Sequence, residues 1–366
     1  MEKIRLGAAA TYVNGYAFKP SDWCEDGLPI IRIQDLNGTS YQLNYYEGDY
    51  PKKIEINNGD ILISWSASLG IYIWDRGKAL LNQHIFKVIF DKVCIDRKYF
   101  VYAVKYKLKE MESKTHGATM KHIVKKDFDN ILIPYPNKKK QQEIASFLNK
   151  IDEIIEMRKQ QVQLLDNLIK ARFVEMFGDP IGNHMKLKTK PMTELCEIID
   201  GDRGKNYPTV EEFSEEGYCL FLNAKNVTLE GFNFESCMFV TQEKDEVLRK
   251  GKLRRGDVVL TTRGTLGNMA FYTDKIPYEH VRINSGMVIL RMKRDEIDEV
   301  YFIEQFKMQL ADIKEKIASG SAQPQLPIST MNKIQVILPK IERQKQFATF
   351  VRQVDKSKVA KEYIAA

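Results

Sequence analysis

The sequence predicts an α+β protein: two β-rich mixed lobes separated by long helices that pair as an antiparallel coiled coil. Two observations lead there. The first is a duplication. GDILISWSASLG at 59–70 returns as GDVVLTTRGTLG at 256–267, and NILIPYPNKKKQQEIASFLNKID at 130–152 aligns without a gap on KIQVILPKIERQKQFATFVRQVD at 333–355. GLPIIRIQDL at 27–36 matches GYCLFLNAKNV at 217–227 more loosely, and the three blocks keep their order. A period near 200 residues is too long for a solenoid and marks duplicated domains. The second observation is an apolar seam. Ile144, Leu148, Ile151, Ile155, Val162, Leu165 and Ile169 follow the 3–4 alternation of a coiled-coil helix.

The elements follow in order. In residues 1–136, ILISW, GIYIW, IFKVIF and ILIPY are short runs rich in Ile, Val and aromatics, bounded by Gly, Asp and Asn, and so read as strands. A helical stretch near 97–113 accompanies them. Residues 137–180 form the central helix: Asn137 caps its start after Pro136, and Gly178 with Pro180 stops it. A helix of about 37 residues, at 1.5 Å per residue, runs about 55 Å. With a narrow apolar seam and a charged remainder it needs a partner helix. Residues 181–338 repeat the first lobe with VVLTT, MAFYT, GMVILRM and IQVILP, and with a helix near 298–318. Residues 339–366 supply the distal helix, whose seam of Phe347, Phe350, Val351 and Val354 makes it the expected intramolecular partner. An antiparallel pair would hold the lobes apart at a fixed distance; the alternative is that each helix packs only on its own lobe.

Composition excludes some classes. Of the 366 residues 43% are hydrophobic, which is ordinary for a globular chain, and no apolar run approaches the roughly 18 residues of a membrane span. The stretch after Lys3 and Arg5 is too short and too polar for a secretory signal. The five cysteines form no C-x-x-C pair, so reduced thiols and a cytoplasmic setting are expected. The net charge of +7 is compatible with a polyanion partner. No phosphate-binding Gly-rich loop, dinucleotide fingerprint, Asn/Asp-Pro-Pro-Tyr stretch, HExxH or GxSxG occurs. His84, His116, His122, His184 and His280 lack metal-ligand spacing. Recognition rather than turnover is the expected role.

Basic and amide side chains gather in segments expected to be loops. Before the central helix, ESKTHGATMKHIVKK offers Lys114, His116, Thr119, Lys121 and His122. At the equivalent place in the second copy, ASGSAQPQLP offers Ser319, Ser321, Gln323 and Gln325. The repeated phrase diverges in the same way, with Ser64, Trp65 and Ser66 facing Thr262 and Arg263 across the alignment; Arg203 and Lys205 add cations to the second copy. One frame with different exposed polar groups is what two readers of different base sequences need. Lys and Arg neutralise phosphates, Arg pairs bidentately with guanine, and Asn or Gln pairs with adenine. Arg263, beside Gly264, is the strongest single candidate.

With these residues in view, the chain resembles the DNA-specificity subunit of type I restriction–modification enzymes. The resemblance rests on the duplicated lobe, QQEIASFLNKID, LLDNLIKARFVEMFGDP (164–180), TTRGTLGN (261–268) and GSAQPQLPIS (320–329), in that order along essentially the whole chain. It implies two target-recognition domains that each read half of a split double-stranded DNA site, with the helices as a ruler between them. It also implies partner subunits: two adenine methyltransferase subunits that bind S-adenosylmethionine, and motor-nuclease subunits that use ATP and Mg. This chain itself would bind no cofactor or metal and would not be an enzyme. The distal helix is shorter than the central one, leaving it either incomplete or paired over part of its partner. Two other readings stand beside this one: a single-chain DNA-modifying or cleaving enzyme, and a coiled-coil scaffold without DNA binding.

Overall fold

Gly59-Asp60 and Gly256-Asp257 each open an interior strand of a four-stranded antiparallel sheet in the computed structural model, which describes residues 2–117, 121–318 and 325–359. Each aspartate accepts a main-chain N–H from three residues upstream, Asn57 at 2.8 Å and Arg254 at 2.7 Å. Each glycine N–H donates to the neighbouring segment, at Trp74 O (2.7 Å) and Tyr272 O (2.8 Å). The strands that follow, Ile61–Ser64 and Val258–Thr261, are buried throughout. Their alternate side chains enter different cores. Ile61 and Ile63 join one and Leu62 another; Val258 and Leu260 join one and Val259 another. A strand covered on both faces must be apolar at every position, which is why these runs lack an alternating pattern.

The duplication extends through the topology. The first sheet of the first lobe runs Thr11–Asn14, Ile85–Ile89, Ile61–Ser64, Gly70–Ile73; its counterpart runs Cys196–Asp200, Met287–Met292, Val258–Thr261, Met269–Phe271. The second sheets share a less common feature. Leu28–Ile31 pairs parallel with Ala79–Leu81, as Cys219–Leu222 does with Val281–Ile283, while the other pairings in those sheets are antiparallel. A two-stranded ladder completes each lobe, Lys3–Arg5 with Leu132–Pro134 and Thr189–Pro191 with Gln335–Ile337.

The chain divides into two units, Met1–Arg158 and Lys159–Ala366. The division falls inside the long helix, Lys138–Phe177. The reason is that each end of this 40-residue helix is packed into a lobe. At its start Asn137 Oδ1 accepts from Lys140 N (2.9 Å), and Ala145 is buried in the first lobe's core. At its end Ile169, Phe173, Met176 and Phe177 belong to a core of the second.

A buried glutamine fastens the start of each helix to its lobe. Gln141 Oε1 accepts from Asp96 N (2.8 Å) and its Nε2 donates to Pro136 O (2.8 Å). Gln344 repeats this with Asp298 N (3.0 Å) and Pro339 O (2.8 Å). The aspartates cap the lobe helices, Arg97–Lys105 and Glu299–Ala318, by accepting from Tyr99 N and Tyr301 N. Both tyrosine hydroxyls then donate to the last strand, at Pro134 O and Ile337 O, each 2.9 Å.

Within the second unit the distal helix, Ile341–Val359, packs antiparallel on the end of the long helix. Arg343 donates to Met176 O (3.0 Å), and Lys358 pairs with Asp166 (2.7 Å), so one chain number rises as the other falls. Phe347, Val351 and Val354 are buried, while Phe350 and Leu165 are partly buried against the same core. The expected seam is open further toward the N-terminus. Ile151, Ile155 and Val162 are 37%, 47% and 42% exposed. Ile144 instead packs on the first lobe, as the alternative reading had it. The described distal helix has 19 residues against 40, so it covers only the end of its partner.

Candidate nucleic-acid interface

The hairpin turn after the repeated strand carries the candidate residues in both lobes, and a hydroxyl closes it. Ser64 Oγ donates to Ser68 O (2.6 Å), and the aligned Thr261 Oγ1 donates to Thr265 O. Ala67 and the aligned Gly264 both have positive φ, +54° and +70°. The turn therefore has one backbone shape in two sequences, with Gly264 relieving the strain that Ala67 tolerates. Ser64, expected from sequence as a DNA contact, is buried with its proton engaged inside the turn. Ser66 is likewise buried, with its hydroxyl enclosed, and does not face solvent.

In the first lobe the segment before the helix folds back onto this turn. His116 and His122 exchange main-chain hydrogen bonds (2.8 and 2.9 Å), Ile123 N donates to Trp65 O (3.0 Å), and Ala67 N donates to Lys121 O (2.7 Å). Trp65 Nε1 donates to Asn14 Oδ1 (3.1 Å), and its ring stacks on Phe86 with centroids 5.8 Å apart. Trp65, His116, Lys121 and His122 are thus brought together. Lys114 sits at the end of the preceding helix and is paired with Glu110 (3.1 Å). His84 lies against the Trp65 ring at 5.4 Å, and burial holds its imidazole below the ordinary value, toward the neutral form. Thr119 lies outside the described residues.

In the second lobe Thr262 is buried. Its hydroxyl donates to Gly286 O (3.0 Å), and its carbonyl accepts from Leu326 N (3.1 Å). It fastens the 325–327 segment to the turn, with most of its side chain enclosed at the edge of the Arg263 cavity. Arg263 is exposed, with no side-chain hydrogen bond or ion pair among the described residues. It lines a cavity of about 220 Å³ with Arg203, Asp200 and Gln325. Arg203 is held there by Asp200 (3.1 Å) and Ser285 O (3.3 Å). Four residues proposed from sequence, Arg203, Thr262, Arg263 and Gln325, therefore meet at one opening. Lys205 is exposed nearby in sequence, while Ser319, Ser321 and Gln323 lie outside the described residues.

The sequence reading passed over RKGKLRR at 249–255, whose five cations in seven residues are a plain charge signal. The run borders a groove of about 740 Å³ that shares Asp200 and Ile328 with the Arg263 cavity. Its main chain is fixed from below. Arg282, 5% exposed, reaches Asp245 Oδ1, Lys250 O (2.7 Å) and Leu248 O (2.9 Å). Asp202 accepts from Arg249 N (2.6 Å) and Arg203 N (2.8 Å). Burial pushes the Asp202 carboxyl up, but these main-chain N–H groups together outweigh it and hold the group below its ordinary value. Asn14, which steadies Trp65, also gave no sequence signal, because lone asparagines are common in loops.

Among the described residues, no group of His, Cys, Asp and Glu is arranged to hold a metal ion, and no helix is long and apolar enough to cross a membrane. Comparison with known proteins agrees with the duplicated architecture. The chain is 27% identical over 389 residues to the type I restriction enzyme MjaVIII specificity subunit of Methanocaldococcus jannaschii, covering 97% of this chain and 86% of that one. It is 22% identical over 315 residues to the EcoBI specificity subunit of Escherichia coli, covering 79% and 65%. In fold it is similar to the crystal structure of a type I restriction–modification S subunit from M. genitalium, with a TM-score of 0.53 at 18% identity, covering 99% and 91%. The family model described as type I restriction modification DNA specificity domain matches twice, at residues 1–166 and 185–363, one match for each lobe with its helix. The chain belongs to this family and is a DNA sequence-recognition subunit of a type I restriction–modification system.

Proposed function

We propose that the chain recognises a split double-stranded DNA site, each lobe reading one part, and that it directs adenine methylation and restriction by partner subunits without catalysing either step. What carries this reading is the hairpin turn: one backbone shape, closed by the same hydroxyl bond, carries different side chains at the aligned positions, Trp65 and Ser66 in one lobe and Thr262 and Arg263 in the other. A common frame with different projecting side chains gives two readers with different preferences. Two methyltransferase subunits would supply S-adenosylmethionine, and motor-nuclease subunits would supply ATP and Mg chemistry, with all components in the cytoplasm. The chain itself would hold no cofactor and select the adenine that its partner flips out.

Mapping methylated adenines in DNA exposed to this chain with its methyltransferase tests the proposal. Two short specific blocks separated by a fixed unspecified gap are expected; a single continuous site would overturn it. Methyl transfer or cutting by the chain alone would make it an enzyme instead. Arg263 gives a sharper result. A bidentate Arg–guanine contact carries about 1–3 kcal/mol of discrimination. Arg263→Ala should therefore relax base choice in one block by about tenfold or more and leave the other block unchanged. A uniform loss over all sequences would make Arg263 a phosphate contact.

A further inference from the structure

The duplicated frame predicts which contacts both lobes should share. Phosphates are the same whatever the sequence, so side chains that grip them can be common to both lobes, whereas base readers must differ. The turn residues differ, Trp65-Ser66 in one copy and Thr262-Arg263 in the other. Ten residues upstream and beyond, the two copies agree: along the ungapped alignment that places Gly59 on Gly256, Lys52-Lys53 falls on Arg249-Lys250. Both pairs lie just before the two glycines and are exposed, and none of the four side chains makes a hydrogen bond or ion pair among the described residues.

This is unlike most of the neighbouring cations. Lys78 pairs with Glu55 at 2.9 Å and Lys87 with Asp60 at 2.8 Å. Lys252 pairs with Asp245, and Arg255 donates to the carbonyls of Thr273, Ile276 and Tyr278. The acids bordering the groove beside Arg249 and Lys250 are also engaged, Asp200 by Arg203 (3.1 Å) and Glu197 by Arg291 (3.9 Å). Two cations in each lobe are thus left out of any ion pair among the described residues, although Asp202 lies near enough to Arg249 to feel its charge. In the second lobe their backbone is tied by Arg282 and Asp202, and Gly251, at φ +84°, packs so closely that an added Cβ would lie 3.1–3.3 Å from Ile283 and Gly201. A preorganised, unpaired cation on a groove beside the reading turn suits an anion that passes along the surface.

We infer that Lys52-Lys53 and Arg249-Lys250 are matching phosphate-backbone clamps that hold each lobe in register on its part of the DNA, adjoining but separate from the base-reading turns. This rests on the DNA-reading function proposed above and names the contacts that supply its sequence-independent share. Arg254, also exposed on the groove where the first lobe has Asn57, adds to the second clamp.

The test measures binding of the full chain to a duplex carrying its mapped site and to an unrelated duplex, over a series of salt concentrations. Each phosphate contact contributes about 0.9 to the slope of log affinity against log salt. K52A/K53A and R249A/K250A should each make the slope shallower by about two, weaken both duplexes by the same factor, and keep the ratio between them. Charge-keeping K52R/K53R and R249K/K250K should retain the wild-type slope. An unchanged slope in the alanine variants, with the wild type steep, overturns the clamp assignment alone. A fall in the ratio overturns it too, by making these residues base readers. A flat salt response in the wild-type chain would overturn the DNA reading itself.

Discussion

Replacing Arg282 with alanine is expected to destabilise the second lobe by about 3–5 kcal/mol, the cost typical of stranding one member of a buried ion pair. Arg282 and Asp245 are 5% and 1% exposed, and Arg282 also satisfies the carbonyls of Asp245 and Leu248 (2.7 and 2.9 Å) and of Lys250 (2.7 Å). Removing it leaves Asp245 with Lys252 as its remaining cation partner and frees three acceptors, two of them buried. Burial pushes the Asp245 carboxyl up, but bonds from Lys252 and Arg282 outweigh it and hold the group below its ordinary value. A carboxyl held low in the folded state stabilises at neutral pH, and that contribution is lost as pH falls below the ordinary carboxylate range through the depressed value. In the variant this loss on acidification should shrink. The tryptophans, Trp23, Trp65 and Trp74, all lie in the first lobe, so their fluorescence is an internal control. Denaturant unfolding followed by circular dichroism should show an earlier transition while the tryptophan transition stays in place. Coincident, unshifted transitions would mean that the Arg282 network adds nothing to stability.

Phe347→Ala should cost about 3–5 kcal/mol, as for other large aromatic-to-alanine changes in a packed core. Its ring is fully buried, with its centroid 5.4 Å from that of Phe173, 5.8 Å from Phe177 and 6.3 Å from Tyr301. These rings belong to the distal helix, the long helix and the lobe helix, so one truncation loosens three elements. Amide exchange should accelerate in 341–359 and 166–177 while 138–150 is unaffected. Phe147→Ala is the matched control. It lies near the start of the long helix and is 65% exposed, and it should change stability by less than about 0.5 kcal/mol. Equal effects from the two substitutions would show that the helix pair does not depend on the Phe347 cluster.

The duplication was legible because strand-forming runs and the helix start repeat nearly in register, and the shared topology follows from that. The burial of individual residues was not. Ser64, Ser66 and Thr262 read as exposed because short hydroxyl side chains usually are, yet here main-chain carbonyls, Ser68 O of the same turn and Gly286 O of a neighbouring segment, take up the protons of Ser64 and Thr262. Periodicity showed an apolar stripe on the central helix but could not say which part is covered. Ile155 and Ile169 occupy equivalent steps of one pattern, and only Ile169 meets a partner. The aligned pair Phe147 and Phe350 diverges in the same way: Phe350 is partly buried under Arg172, whereas Phe147 stands in solvent. The basic run at 249–255 is plain in the sequence, but charge alone does not separate a groove-lining run from an ordinary solvated one.

The glutamine at each helix start has a consequence for modularity. Gln141 and Gln344 are bolts whose other halves, Asp96 and Asp298, sit inside the lobes. A lobe grafted from a relative keeps its seating only when the junction lies beyond the bolt. A splice made earlier, at the apparent domain edge near Pro136 or Pro339, would separate the two halves and leave the transplanted module rattling on its stalk.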